Sequence, residues 1–424
     1  MTSRLLSGAL VALAACLAPQ FAAADAVGQF TDHRDIGNPK MPGSTTYDAA
    51  TGAYRVVGGG GNMWDAHDSF QFAWKAIPAG DIAMSADLVF KSPAPAPNAP
   101  GYVHRKGGLI IRQDLDPDSA YVDASRMGNQ QLSLQYREVK GAPTHLIWVN
   151  TPYQDTVRLE RIGDYVYLSV PGPDGKLHHA GGSFKIKLAG SYLVGLGVCA
   201  HDNNAAETME FRNVKIEPIA PKKAKPVLES TIETIDIRSP AEQTAIYNTA
   251  GALASPTWSA DGKSIVYSGG GALYRVGLDG AAPVKNEGGA MKARNADHDI
   301  SPDGQWAYYQ APANGGMKLW RAHPDGSGKM QVTTNPDTRD WFPHPSPDGK
   351  WIVYLSTDAD APAGKVPLNK DVELRLMPVV NGVPQADKVT VLTKLVGGEG
   401  TINAPNWSPD SRNVAFTSYR MARD

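Results

Sequence analysis

Between residues 255 and 418 one short phrase is written four times. The copies are SPTWSADGKSIVYSG from Ser255, DHDISPDGQWAYYQA from Asp297, FPHPSPDGKWIVYLS from Phe342 and APNWSPDSRNVAFTS from Ala404. Each carries one turn Asp: Asp261, Asp303, Asp348 and Asp410, spaced 42, 45 and 62 residues apart. Pro before the Asp and Gly after it suit a tight turn. An apolar run follows every turn (SIVYS, WAYYQ, WIVYL, VAFTS). A further strand follows in three of the copies (ALYRVGL, MKLWRAH, VELRLMP). Those three strands end in Asp279-Gly280, Asp325-Gly326 and Asn381-Gly382, and KMQVTT and KVTVLTK imply an outer strand. Four strands per repeat at this period is the signature of a β-propeller blade.

The last copy leaves room for only two strands before Asp424. STIETIDI and EQTAIYNT, at the start of the same half, supply the missing two. The ring is therefore expected to close by a two-plus-two clasp, giving four countable blades. The turn followed by L/IWR…PDG resembles the TolB-type propeller repeat, and NWSPDSRNVAFTS and DWFPHPSPDGKWIVYLS are especially similar to secreted TolB-like proteins. That family usually has six blades. The chain therefore either closes with four or is a shortened ring completed by a partner.

The first half alternates short apolar runs with turn signals. DSFQFAWKAI puts Phe70, Phe72 and Trp74 on one face, and TVRLERIGDYVYLSV reads as a hairpin turning at Gly163-Asp164. Strands of this number and spacing make a two-sheet sandwich. GGGGNMWDAHDSFQFAWK, RKGGLIIRQDLDPDSAYVDA and LVGLGVCAHDN resemble concanavalin-A-like jelly-roll domains of secreted bacterial proteins. The resemblance implies a lectin-like or glucanase-like sandwich, but the Glu-rich strand of the glucanases is missing. Trp64, Arg112, Gln113, Tyr136, Arg137 and His201 are candidate glycan contacts, because aromatic faces and planar donors suit sugar rings and hydroxyls. The competing reading makes Trp64 core and the arginines solvated strand faces. Asp114, Asp116 and Asp118 in DLDPDS could hold calcium or form a polar turn. The expected organisation is a signal peptide over 1–24, a sandwich over 27–218, a linker over 219–227 (within EPIAPKKAKPVLE) and a propeller over 228–424.

The N-terminus supports export. Arg4 precedes the short apolar run LLSGALVALAACLA, and PQFAAADA offers cleavage after Ala24. Leu13 to Cys16 also reads as a lipobox, which would leave a lipid on Cys16. A periplasmic or secreted location follows, with the lipid-anchored form as the alternative. The net charge of −2 gives no footprint for nucleic acid. Only Cys16 and Cys199 occur, so cleavage leaves one thiol, in an apolar strand.

The repeat also isolates what varies. Four residues before each turn Asp stand Thr257, Asp299, His344 and Asn406. A propeller's innermost strand lines its channel, so these four would form a polar ring, with Asp297, His298, Asp340, Trp341 and Asn403 at its mouth. Three readings stay open. The groups satisfy channel waters; they bind a glycan or peptide end, with Trp341 as platform; or His344 or His298 works with Asp299 as acid and base, with a divalent metal as an option. The leading expectation is a non-enzymatic binder of an envelope glycan or a protein. A polysaccharide lyase or hydrolase is the alternative.

Overall fold

A computed structural model describes residues 26–92, 103–150, 155–172, 174–182, 184–220, 227–285, 298–313, 316–359 and 370–422. Residues 1–25, where a signal peptide is expected, with Cys16, and also Asp297, most of the Pro-rich loop after Lys91 and most of the linker lie outside them. The described chain is all-β: two packed sheets, then a four-bladed propeller.

The first sheet runs Asp32–Ile36, Phe70–Ile77, Tyr192–Cys199, Lys106–Arg112, Tyr121–Met127, Leu132–Arg137, His145–Val149. The second runs Leu177–His179, Tyr165–Pro171, Thr156–Ile162, Ile82–Phe90, Glu207–Pro218, Ala53–Gly58, Ser44–Asp48. Thr156–Ile162 alternates half-buried and buried positions, as a strand with one face on a core must. Its hairpin partner Tyr165–Pro171 begins after the two-residue turn Gly163-Asp164, with Gly163 at φ 59°. Between the sheets lies one core containing Val56, Leu109, Leu134, Leu159 and Phe211.

The outer face of the first sheet carries a second apolar cluster of Phe70, Phe72, Trp74, Ile110 and Tyr121. It is covered by the small hairpin of Met63–Trp64 and His67–Asp68. Asp68 anchors that cover: its carboxylate takes hydrogen bonds of 2.8 and 2.9 Å from Arg137 and lies 3.5 Å from Arg112. All three side chains are fully buried. Arg112 also donates to the carbonyls of Asp114 and Asp116, so its charge is met on several sides.

Three propeller sheets are built from consecutive strands. The first is Leu253–Trp258, Ser264–Gly269, Ala272–Gly277, Val284–Lys285; the second is His298–Ile300, Ala307–Ala313, Gly316–Ala322, Met330–Gln331. The third is Thr338–Pro345, Trp351–Asp358, Lys370–Val380, Thr390–Gly397. The fourth mixes the two ends of this half. Trp407 bridges Val414, Asn413–Ala422 pairs with Val227–Asp236, and that strand pairs with Glu242–Ala250. This is the expected clasp.

The clasp does not end at its own outer edge. Glu242–Ala250 pairs in parallel with His145–Val149, matching Leu146 to Glu242 and Val149 to Ala245. One ten-stranded sheet therefore runs through both lobes. Further contacts join them: Tyr165 and Lys185 to Asp371 at 2.7 and 2.6 Å, Lys394 to Glu138 at 3.0 Å, and the Arg420 guanidinium over the Tyr167 ring.

Candidate functional site

The repeated turn is a hydrogen-bonded device. In each copy the Ser two residues before the Asp donates its hydroxyl to that carboxylate at 2.5–2.6 Å. The same hydroxyl accepts the backbone N–H five residues on, at 2.8–3.1 Å. The serine bond holds Asp261, Asp303 and Asp410 below the usual carboxylate range. At Asp348 burial pulls upward first, yet the bonds from Ser346 and Lys350 leave it low as well. Ser346 is thus turn scaffold, beside His344 but committed elsewhere.

The residue after the Asp sits at φ 69–70° in Gly262, Gly304 and Gly349, which glycine adopts freely. The fourth copy has Ser411 at φ 61°. Its hydroxyl accepts the N–H of Asp348 at 3.0 Å, tying the third blade to the clasp. A second repeated feature was not legible beforehand. Register shifts at Ala254/Thr257 and Trp341/His344 leave Ser255 and Phe342 at positive φ, each two residues before the aligned channel position. Such bulges re-aim the side chains beside them.

At the channel His344 is fully buried and held at both nitrogens. Nδ1 lies 3.2 Å from Asp299 and Nε2 2.6 Å from the Ile402 carbonyl. Asp299 is a quarter exposed. Asn406 donates to the Ala415 carbonyl at 3.0 Å, and Thr257 lies 3.4 Å from the Ser255 carbonyl. Asn403 accepts from Ser255 at 2.7 Å, and Asp340 accepts from Ser356 at 2.8 Å. His298 is exposed, whereas Trp341 is buried in the cluster between third blade and clasp. A ring packed there offers no face to a ligand.

The sandwich candidates separate sharply. Arg112 and Arg137 are sealed around Asp68 and reach no solvent, so they are neither solvated faces nor surface sugar contacts. Gln113 closes a loop through Ala189 and Ser191. Tyr136 has Phe184 stacked on it at 4.0 Å and His145 at 5.3 Å. Among Asp114, Asp116 and Asp118 stands the Lys140 ammonium, 3.6 Å from Asp114, 3.5 Å from Asp118 and paired with Asp116. A side-chain cation occupies the place proposed for calcium.

Trp64 and His201 do converge. They line a pocket of about 230 Å³ with Asn62, His104, Lys106 and Gln135, and Glu242 joins them from the clasp. Lys106 is buried, and its ammonium donates to Asn62 at 3.0 Å, Gln135 at 3.1 Å and the Met63 carbonyl at 3.4 Å. Burial lowers its pKa, opposed by Cys199, Asp123 and Asp68 nearby. Burial also raises Asp123 to about 7, with Lys106 opposing. His201 is pushed down to about 4 by burial first, then by Lys106 and His104, whose ring lies 5.0 Å away. His104 is lowered for the same two leading reasons, burial and Lys106. At neutral pH the pocket therefore holds two neutral imidazoles beside the buried Lys106 amino group.

Reading along the chain missed Asn62, His104, Lys106, Gln135 and Glu242. One signal was present: Lys106 opens the apolar strand KGGLIIR, where a charge must be met inside the fold.

No family model matches the chain. The uncharacterized protein Atu1656 of Agrobacterium fabrum is 39% identical over 166 residues, covering 38% of this chain. The chain spans 53% of that relative's length. Among solved structures, a protein from Agrobacterium tumefaciens assigned as a candidate TolB is 26% identical, with a TM-score of 0.40. That match covers 46% of this chain and 99% of the other. An alginate lyase from Klebsiella pneumoniae is 9% identical with a TM-score of 0.28, over 42% of this chain and 85% of that one. Likeness at these TM-scores carries no argument about function. Among the described residues no helix is long and apolar enough to cross a membrane, which says nothing of a β-barrel.

Proposed function

We propose that this is a recognition protein that binds a neutral, hydroxyl-rich glycan unit in the sandwich pocket and does no chemistry on it. One observation carries the reading: Trp64 and His201 meet over a floor of amide groups fixed by a buried ammonium. Lys106 donates to the oxygens of both Asn62 and Gln135, which leaves their amide N–H groups to face the pocket. Fixed amides and neutral imidazoles match hydroxyls without the cost of ordering them at binding. The indole adds an apolar face. Glu242 at the rim, where it already accepts a bond from the Trp148 indole, can accept hydrogen bonds from sugar hydroxyls and disfavours an acidic sugar.

The export-type N-terminus supports a periplasmic or secreted setting, where an envelope or extracellular glycan is the fitting ligand. Catalysis at the propeller is supported by the closeness of Asp299 and His344. Against it, His344 has both nitrogens engaged and no exposure, so neither can carry a proton to a substrate.

The test is a glycan array on the full chain and on Trp64→Ala. Binding of neutral oligosaccharides, lost at least ~10-fold in the variant, is expected from losing one aromatic contact in a small site. An array on which the wild type binds no glycan, or Trp64→Ala binds unchanged, removes the glycan reading and leaves a protein partner.

A further inference from the structure

A second cavity lies where the sandwich meets the third blade, apart from the sandwich pocket. It holds about 360 Å³. Small-molecule sites run from about 300 to 1,000 Å³ and favour places between two lobes. Tyr136 and Phe184 bound the cavity from the sandwich. The blade presents one end of its strands to it, with Thr338 opposite Asp358 and Asp371 opposite Val396. A cavity across strand ends meets both faces of the blade, so odd and even residues line it together.

Two polar groups there are uncommitted. The hydroxyls of Thr338 and Thr357 are buried, on residues 6% and 5% exposed, and find no hydrogen-bond partner among the described residues. A buried hydroxyl left unpaired is costly, so two at one cavity call for a partner inside it. Beside them His145 lines the cavity with an imidazole that burial holds below its usual pKa, opposed by Glu138 and aided by Lys394. It is neutral at pH 7.

The charges of the lining cancel. It carries four carboxylates and four cations, and three of each are already paired. Lys394 meets Glu138 at 3.0 Å, Lys185 meets Asp371 at 2.6 Å, and Arg375 meets Glu373 at 2.6 Å. The other two, Lys187 and Asp358, are exposed. A charged ligand would lose its water and gain no free counter-charge inside. Phe184, Leu392 and Leu395, all buried, supply apolar surface from both lobes.

We infer that the interlobe cavity binds a small uncharged molecule with an apolar ring body and two hydroxyl groups. The hydroxyls pair with those of Thr338 and Thr357, and the ring packs among Phe184, Leu392 and Leu395. A rigid ring loses little freedom when it binds.

The experiment is titration of the full chain with resorcinol and 2,7-dihydroxynaphthalene, followed by ligand-observed NMR. At least one diol is expected to bind. Binding should weaken at least ~10-fold in the double variant Thr338→Val with Thr357→Val, which keeps the side-chain shape and removes both hydroxyls. The anionic 3,5-dihydroxybenzoate should bind more weakly than resorcinol. The bound diol should slow amide exchange at residues 338–340 and 356–358. Trp64→Ala should bind the diol unchanged, which separates this site from the glycan pocket. Failure of both diols to bind, equal binding by the double variant, or equal binding of the benzoate overturns the inference. Protection confined to other parts of the chain overturns it too. Should the double variant misfold, the exchange map of the wild type still decides.

Discussion

At Ser411 two effects oppose each other in one residue. Its φ of 61° is costly for any residue with a Cβ, by roughly 1–2 kcal/mol. Its hydroxyl recovers about 1 kcal/mol by accepting the Asp348 N–H across a blade seam. Replacing Ser411 by Gly removes both, so urea unfolding should change by less than about 0.5 kcal/mol. Ser411→Ala keeps the strain and leaves the N–H unpaired, so a loss of about 1–2 kcal/mol is expected. Equal stability of the two variants would show that the strain contributes nothing, and a Ser411→Ala variant as stable as the wild type would show that the seam bond contributes nothing. The departure from glycine was visible in SPDSR; its reason was not, because the partner N–H is 63 residues away.

Among elements, the clasp strand Val227–Asp236 carries a titrating group. Glu233 is buried against Gly182 of the sandwich, where a Cβ would stand 2.5 Å from its carboxylate. Burial raises its pKa to about 7, opposed by the Ser418 hydroxyl. The folded state therefore holds this proton more tightly than the unfolded chain does. The resulting stability is fully present below the unfolded value near 4.5 and is lost as pH rises through 7. Glu233→Gln should flatten the stability profile between pH 4.5 and 7 in denaturant titrations at several pH values. An unchanged slope across that window would remove Glu233 as its source. The clasp itself was legible, because two leftover strands at each end of a repeat array have only each other to pair with. The burial of its glutamate depended on the opposite lobe and was not.

Over the whole molecule, the shared sheet changes what the two halves are. A linker between independent domains would let each unfold alone. Here the parallel pairing of 146–149 with 242–245, together with the ion pairs around it, makes each half part of the other's edge. Far-UV circular dichroism and tryptophan fluorescence should therefore report one coincident unfolding transition. Two separated transitions would refute the coupling. The propeller half expressed alone would expose the edge of Glu242–Ala250, a template for pairing with a second copy. Removing that half also deletes Glu242 from the sandwich pocket, so truncation tests the pocket less cleanly than Trp64→Ala.

By itself the sequence determined what is local or periodic. The Ser–Asp turns, the strands they join, the two-plus-two closure and the all-β class depend on neighbours a few residues apart, and spacing records those. Tertiary structure alone decided which polar residues are available. Arg112, Arg137 and Trp341 read as surface groups and are sealed, while Trp64 and His201 meet across a strand order that places residue 62 beside residues 106, 135 and 242. The reason is physical. A turn's energy is set within its own few residues, whereas a pocket is the space left when distant strands pack, and its shape is written in no single stretch of chain.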